Sequence, residues 1–214
     1  MDGTQGTPWQ AWHTPYDDPS SPLSHRLRLV QRHLEAWLDE RPDETLRVVS
    51  VCAGQGRDLI GVLQSRPDAA RVRARLVEAD AGNVAVARRA ARTAGLDAVT
   101  VLQADAGHLA AYVGAVPADL VLLAGVLGNI ADGDVRRTVG ALPRLCADGA
   151  TVIWTRSRRA PDLTPAVRGW LREAGLREMA FHAPADVEFT VGVHRWVGPT
   201  QDLGELHQVF RFVS

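Results

Sequence analysis

Two kinds of hydrophobic pattern alternate along residues 46–175. Short runs rich in branched aliphatic residues, such as LRVVSVCAG at 46–54 and ADLVLLAGVL at 118–127, predict buried strands. Between such runs lie alanine-rich or amphipathic segments, such as NVAVARRAARTAG at 83–95, which predict helices. Five strands that alternate with helices indicate an α/β protein, doubly wound, with a parallel sheet covered by helices on both faces.

The last part of the chain has a different pattern. LREMAFHAP at 176–184 and VEFTVGVHRWVG at 187–198 are two strand-like runs joined by a short polar link. No crossover helix fits into this link, so we expect the two strands to pair as an antiparallel hairpin. HQVFRFVS at 207–214 is a candidate for a further edge strand.

A segment rich in Pro, Gly, Asp and Ser precedes the first helix. Residues 1–20 lack periodicity and are typical of an extended arm. The helix that follows can be capped by Ser21, and Pro22 suits its first turn. Its expected apolar face comprises Leu23, Leu27, Val30, Leu34, Trp37 and Leu38. We expect a single domain over 1–214, with the N-terminal arm and capping helix at 1–40 and a ligand-binding core at 46–197.

Composition narrows the possible environments of the protein. The chain has 214 residues, 46% hydrophobic and 23% charged, which fits one globular domain. Its apolar runs fall far short of the ~20 residues that span a bilayer, and its start lacks a signal-peptide pattern. Two isolated cysteines, Cys52 and Cys146, do not form a disulfide framework. We therefore expect a cytoplasmic location, reduced thiols and no membrane association.

Charge and residue usage exclude several kinds of chemistry. The net charge of −1 lacks the basic excess that favours nucleic-acid binding. All 24 basic residues are arginine, so neither a Schiff-base lysine nor a phosphate-loop lysine is available. His13, His108, His182 and His194 show no metal-ligand spacing, so no metal site is expected.

The chemically informative stretch is VVSVCAGQGRDLI at 48–60. A strand runs into Ala53, Gly54, Gln55 and Gly56, and a helix follows. Glycines allow a sharp turn and close approach to a ligand, and the helix N-terminus favours an anionic group. A nicotinamide- or flavin-binding loop would need Gly or Ala at the position of Leu59, so a loop for S-adenosylmethionine (SAM) is favoured.

From about Arg47 to Trp196 the chain resembles the class I SAM-dependent methyltransferases. The resemblance implies a mostly parallel seven-stranded sheet that ends with an antiparallel hairpin. The family loop is acidic-x-G-x-G-x-G, whereas this chain has Ser50 at the acidic position and Cys52 at the first glycine. The chain also resembles a set of actinobacterial methyltransferase-like proteins over nearly its whole length. This resemblance rests on the arm sequence WQAWHTPYDDP and on VCAGQGRDL, GVLGNI, TRSRRAPDLTPAVR and VGVHRW.

The resemblance implies a set of SAM-binding residues. Asp58 could replace the missing loop acid or complement the helix dipole. Glu78, rather than Asp80, is expected to hold the ribose hydroxyls. Asp105 is expected beside the adenine amino group, although it could also cap a helix, and Asn129 could instead be a turn residue. The full set is Ala53, Gly54, Gly56, Asp58, Glu78, Ala79, Asp105, Ala106, Gly125 and Asn129.

The arm sequence WQAWHTPYDDP is expected to close the acceptor side of the site. Trp9, Trp12 and Asp17 are candidate substrate-binding residues, and Arg156 from RSRR is another. His13 is the expected general base, with Tyr16 and His194 as alternatives. The opposing interpretations are a tail with packed tryptophans for the arm and a solvated face for the arginine cluster.

The sequence therefore predicts SAM-dependent methyl transfer to an oxygen or nitrogen of a small molecule. The alternatives are a SAM-fold protein that binds SAM or S-adenosylhomocysteine (SAH) without methyl transfer, as a regulator or a non-methylating catalyst, and a nicotinamide-dependent oxidoreductase. The last is disfavoured by Leu59.

Overall fold

A computed structural model of the chain describes residues 15–205 and 207–212. The helices of these residues are α1 Pro22–Asp39, α2 Leu59–Leu63, α3 Ala81–Thr93, α4 Asp132–Ala141 and α5 Thr164–Glu173. The strands are β1 Leu46–Val51, β2 Val72–Glu78, β3 Val99–Gln103, β4 Ala118–Leu123, β5 Cys146–Ser157, β6 Leu176–His182 and β7 Phe189–Trp196.

The seven strands form one mixed sheet in the order β3-β2-β1-β4-β5-β7-β6. Neighbours among the first five strands run parallel, whereas β7 pairs antiparallel with both β5 and β6. The predicted α/β fold with a C-terminal antiparallel hairpin is confirmed. The strand order reverses between β1 and β4, which opens a crevice at their carboxyl ends.

Helices cover both faces of the sheet because successive strand residues point in opposite directions. In β1, Val49 and Val51 join an apolar cluster that includes residues of α4 and α5. Leu46 and Val48 join the second cluster, with residues of α1, α2 and α3. The near-continuous apolar strands of the sequence follow from burial on both faces.

The start of α1 follows the prediction, but its buried face is rotated. The Ser21 hydroxyl accepts the N–H of Ser24, and Pro22 occupies the first turn. Leu23 and Leu27 are only half-buried, whereas Arg26 and Leu29 are buried. The first turns of the helix therefore present a guanidinium to the protein interior. Within the described residues, no helix is both long and apolar enough to cross a membrane.

Short irregular segments complete the fold. The segment after β3 forms a short 3₁₀ turn at Leu109–Tyr112. Helix α4 gives way to a 3₁₀ turn at Leu142–Arg144, since Pro143 cannot continue an α-helix. Residues 207–212 make isolated bridges with His108 and Ile130 rather than an edge strand.

Candidate functional site

A sharp turn links β1 to α2. Cys52, Gly54 and Gly56 have φ angles of 52°, 55° and 70° respectively. This left-handed region suits glycine but is strained for a side chain, so Cys52 adopts a backbone conformation that glycine usually takes. A Cβ on Gly56 would lie 2.7 Å from Cδ1 of Ile60. Gly56 therefore packs against the protein interior, whereas Gly54 faces the crevice at the carboxyl ends of the strands.

A cavity of about 370 Å³ lies at the carboxyl ends of β1, β2, β3 and β4. Its volume lies within the range of small-molecule sites. The structure brings nine of the ten predicted SAM-binding residues into its wall, and Gly56 is the exception. The lining comprises Tyr16, Cys52, Ala53, Gly54, Arg57, Asp58, Glu78, Ala79, Asp80, Asn83, Asp105, Ala106, Ala124, Gly125, Asn129 and Phe212.

Glu78 ends β2 and is 9% exposed. Its Oε2 accepts the Gly54 N–H at 2.8 Å, and its Oε1 accepts the Asp80 N–H at 2.9 Å. These bonds fix the carboxylate against the glycine turn, and each oxygen retains a second lone pair for a ligand. Asp80 instead caps α3 by accepting the Asn83 N–H at 2.8 Å. The two acids therefore have different structural positions, and Glu78 is the one held at the turn.

Asp58 is 7% exposed and lines the cavity. Its Oδ1 accepts the Leu59 N–H at 2.7 Å, at the start of a helix of five residues. Burial raises the pKa of Asp58, although the Leu59 N–H and the charge of Arg26 oppose this increase. A cationic ligand group beside this buried carboxylate would stabilise its ionised form.

The cavity wall also includes Asp105, which follows β3. Its Oδ1 accepts the Gly107 N–H at 2.8 Å, and its Oδ2 accepts the Gln208 side-chain N–H at 2.7 Å. Each carboxylate oxygen thus accepts one hydrogen bond within the protein. It keeps a second lone pair with which it could accept from a ligand.

The loop after β4 separates this cavity from a second one of about 890 Å³. Gly125 and Asn129 line both cavities. The Gly125 N–H donates to Oγ1 of Thr155 at 2.8 Å, and the Asn129 side-chain amide donates to the Gly125 carbonyl at 2.6 Å. Asn129 is therefore both a turn residue and part of the boundary at which two ligands could meet.

Arg156 lines the second cavity, and its side chain is only 11% exposed. Its Nη1 donates to the Leu127 carbonyl, and its Nη2 lies 3.7 Å from Oδ1 of Asp132. Its buried Nε has no hydrogen-bond partner within the described residues. Burial lowers the pKa of Arg156. The alternative of a solvated arginine face does not apply to this residue, since it is enclosed at the cavity.

The described end of the arm lies at the mouth of both cavities. Tyr16 lines the first cavity, and Pro15 lines the second. The Tyr16 hydroxyl accepts from Nη2 of Arg26 at 2.6 Å, and Asp17 pairs with Arg57 at 3.2 Å. The predicted residues Trp9, Trp12 and His13 lie outside the described residues.

His194 is placed away from both cavities, which contradicts its prediction as an alternative base. It lies on β7 with 1% exposure, and its Nδ1 accepts the indole N–H of Trp154 at 3.2 Å. Burial lowers the pKa of His194 to about 4. Its strand position places it opposite Val152, well before the carboxyl end of β5. The sequence shows that the residue belongs to a strand but not how far along the strand the site lies.

The environment of Cys52 does not favour a nucleophilic role. Burial raises the pKa of the Cys52 thiol well above its ordinary value, which disfavours the reactive thiolate. Among the residues that the structure describes, no three His, Cys, Asp or Glu side chains are grouped so that they could hold a metal ion.

Sequence reasoning missed several residues of the wall. Arg57 and Asn83 come from α2 and α3 segments beside predicted residues, while Phe212 comes from the C-terminal segment. Arg26 lines the second cavity from α1. A signal existed for Arg26, because an arginine interrupts the expected apolar face of that helix.

Comparison with known proteins identifies the fold. No family model and no curated protein matches the chain. Magnesium protoporphyrin IX methyltransferase (ChlM) from Synechocystis PCC 6803, solved with bound SAM, is 16% identical with a TM-score of 0.68, over 89% of this chain and 91% of that one. An O-methyltransferase family protein from Burkholderia thailandensis is 18% identical with a TM-score of 0.67, over 92% of this chain. The chain spans 60% of the length of that protein.

The chain has the class I methyltransferase fold. This fold also includes the [4+2]-cyclase SpnF, which is 15% identical to the chain with a TM-score of 0.60, over 78% of this chain and 81% of that one. The fold therefore accommodates more than one activity.

Proposed function

We propose that the protein transfers the methyl group of SAM to an oxygen or nitrogen of a small molecule. The observation that carries the proposal is the convergence of the glycine turn, Glu78 and Asp105 on one cavity of suitable volume, at the switch point of a class I methyltransferase fold. The buried Asp58 adds an acid that fits a ligand amino group.

The residues of the first cavity have complementary roles in this proposal. Glu78 accepts the ribose hydroxyls with its remaining lone pairs, and Asp105 accepts from the adenine amino group. Asp58 pairs with the ligand ammonium. It takes the role of the acid that the family loop has at the position of Ser50. When bound, SAM supplies an activated methyl group on a sulfonium. The described residues that line the wall bind this ligand and exclude water around it.

The second cavity holds the acceptor in this proposal. It meets the first at Gly125 and Asn129, so an acceptor placed there faces the reactive end of the first cavity. Arg156 offers a buried cation for substrate binding, and the arm closes the opening. His13 remains the proposed general base, with Tyr16 as the alternative because Tyr16 lies in the cavity wall.

A direct test combines binding with label transfer. Calorimetry should show that SAH binds and that NAD does not compete with it. Incubation with methyl-labelled SAM should label a component of a metabolite extract. Competition by NAD would instead support an oxidoreductase. SAH binding without label transfer to any acceptor would support the second candidate, a non-methylating catalyst, which the likeness to SpnF favours.

The pH dependence of SAH binding should report on Asp58. Burial raises the pKa of this carboxyl in the free protein. A fraction of the molecules therefore carries a protonated Asp58 at a pH at which an ordinary Asp would be ionised. An ammonium beside it favours the ionised form, so SAH affinity should fall as pH decreases, by up to about tenfold per unit. Calorimetry from neutral pH downward towards the ordinary pKa of Asp measures this, in a range where a free α-amino group stays protonated.

Asp58→Asn is the matched variant, since its side-chain carbonyl can still accept the Leu59 N–H. It should bind SAH more weakly at neutral pH and show a flatter pH profile. An unchanged affinity and an unchanged profile would show that Asp58 complements only the helix dipole.

A further inference from the structure

We propose that residues 207–212, called here the C-terminal strap, form part of the cofactor site. In this proposal Gln208 positions the carboxylate of Asp105 for the adenine amino group, and Phe212 supplies an aromatic ring to the cavity wall. The proposal rests on the proposed function, because it assumes an adenosyl ligand in the first cavity.

The strap docks closely onto the loop after β3. The His207 carbonyl accepts the Leu109 N–H at 3.1 Å, and the Val209 N–H donates to the Gly107 carbonyl at 2.7 Å. A Cβ on Gly107 would lie 2.1 Å from the Phe210 carbonyl oxygen, so only glycine allows this approach. Phe210 is 2% exposed. The strap is therefore anchored in the core beside the acid of the site.

The hydrogen bonds of Gln208 determine which way its amide points. Its Oε1 accepts from Nε of Arg211 at 2.8 Å, and its Nε2 donates to Oδ2 of Asp105 at 2.7 Å. A guanidinium only donates and a carboxylate only accepts, so the opposite amide orientation would lose both bonds. Arg211 is itself held, because its backbone N–H donates to Oδ2 of Asp134 at 2.9 Å.

Both oxygens of Asp105 consequently have a fixed partner. Gly107 from the loop binds Oδ1, and Gln208 from the strap binds Oδ2. Asp105 is exposed, so without Gln208 its carboxylate could rotate toward solvent. An ordered acceptor discriminates between a base that carries an amino donor and one that lacks it, since the mismatch leaves a polar group unpaired.

Phe212 contributes in a different way. It bridges to Ile130 beyond β4 and lies edge-on to Phe210, with ring centroids 6.0 Å apart. Its ring lines the same cavity as Asp105. An aromatic face binds any flat base, so it contributes affinity without selectivity for the amino group.

The experiment compares two ligands by calorimetry: SAH, and its purine analogue without the 6-amino group. The intact protein should prefer SAH by about tenfold. Gln208→Ala should lower SAH affinity about fivefold and leave that of the analogue unchanged, which reduces the preference to about twofold. Phe212→Leu should weaken both ligands equally. Gln201→Ala, the same change at an exposed position before the strap, should alter neither affinity.

Thermal unfolding of each variant checks that the chain is folded, and Gln208→Met, which keeps the side-chain volume, replaces Gln208→Ala if the latter unfolds. An unchanged preference in the folded Gln208 variant would overturn this inference while leaving the proposed function intact. Failure of the intact protein to bind SAH would overturn the proposed function itself and the inference with it. A preference that falls only through stronger binding of the analogue would also contradict the positioning role.

Discussion

Glu78→Ala should weaken SAH binding between about tenfold and a hundredfold. The substitution leaves the two ribose hydroxyls without their acceptor in the cavity, at a cost of about 1–3 kcal/mol. It also removes the acceptor for the Gly54 N–H, so the turn that faces the ligand loses a support. Calorimetric titration with SAH measures the loss.

Asp80→Ala is the matched control, because Asp80 lies two residues away and also lines the cavity. Asp80 accepts the Asn83 N–H as the N-cap of α3, so its loss should lower the free energy of unfolding by about 1 kcal/mol. Its effect on SAH affinity should be the smaller of the two. A larger loss of affinity in Asp80→Ala than in Glu78→Ala would assign the ribose to Asp80.

The sheet could be predicted because its information is local. The strands of the parallel part are short runs rich in branched aliphatic residues, and β4 is a nearly continuous one. The short link at 183–188 excludes a crossover helix between β6 and β7. The length of α2 could not be predicted from the sequence in the same way. The segment RDLIGVLQSR has helical periodicity, but only Leu59–Leu63 form an α-helix. Periodicity indicates that a helix is present but not the residues at which it begins and ends.

The acidic residues of the first cavity could be placed for a related reason. Glu78 and Asp105 each follow a buried parallel strand, and the carboxyl ends of such strands meet at one edge of the sheet. The strap was not predictable, because Gln208 reaches Asp105 across 103 residues of sequence. The strand-like pattern of this segment indicated an edge strand, whereas its contacts are isolated bridges. His194 was misassigned because periodicity identifies a strand without showing which of its residues reach the site.

The second large effect should follow deletion of residues 1–19. We expect SAH affinity to stay within about tenfold of the intact protein, whereas methyl transfer should fall by at least about a hundredfold. The deletion keeps Ser21 and Pro22, so α1 can still begin with its cap and continue to cover the sheet. It removes Tyr16 from the first cavity and Pro15 from the second, together with the proposed base His13.

Two point variants separate closure from proton transfer in this experiment. Tyr16→Phe removes the oxygen that accepts from Arg26 and keeps the ring in the cavity wall, so it should retain most of the turnover if His13 is the base. His13→Ala should lower turnover more than SAH affinity. Both are measured as label transferred from methyl-labelled SAM to the acceptor found in the extract. Full turnover by the truncated chain would show that the arm is a tail, and that α1, through Arg26 and Leu23, closes the acceptor cavity by itself.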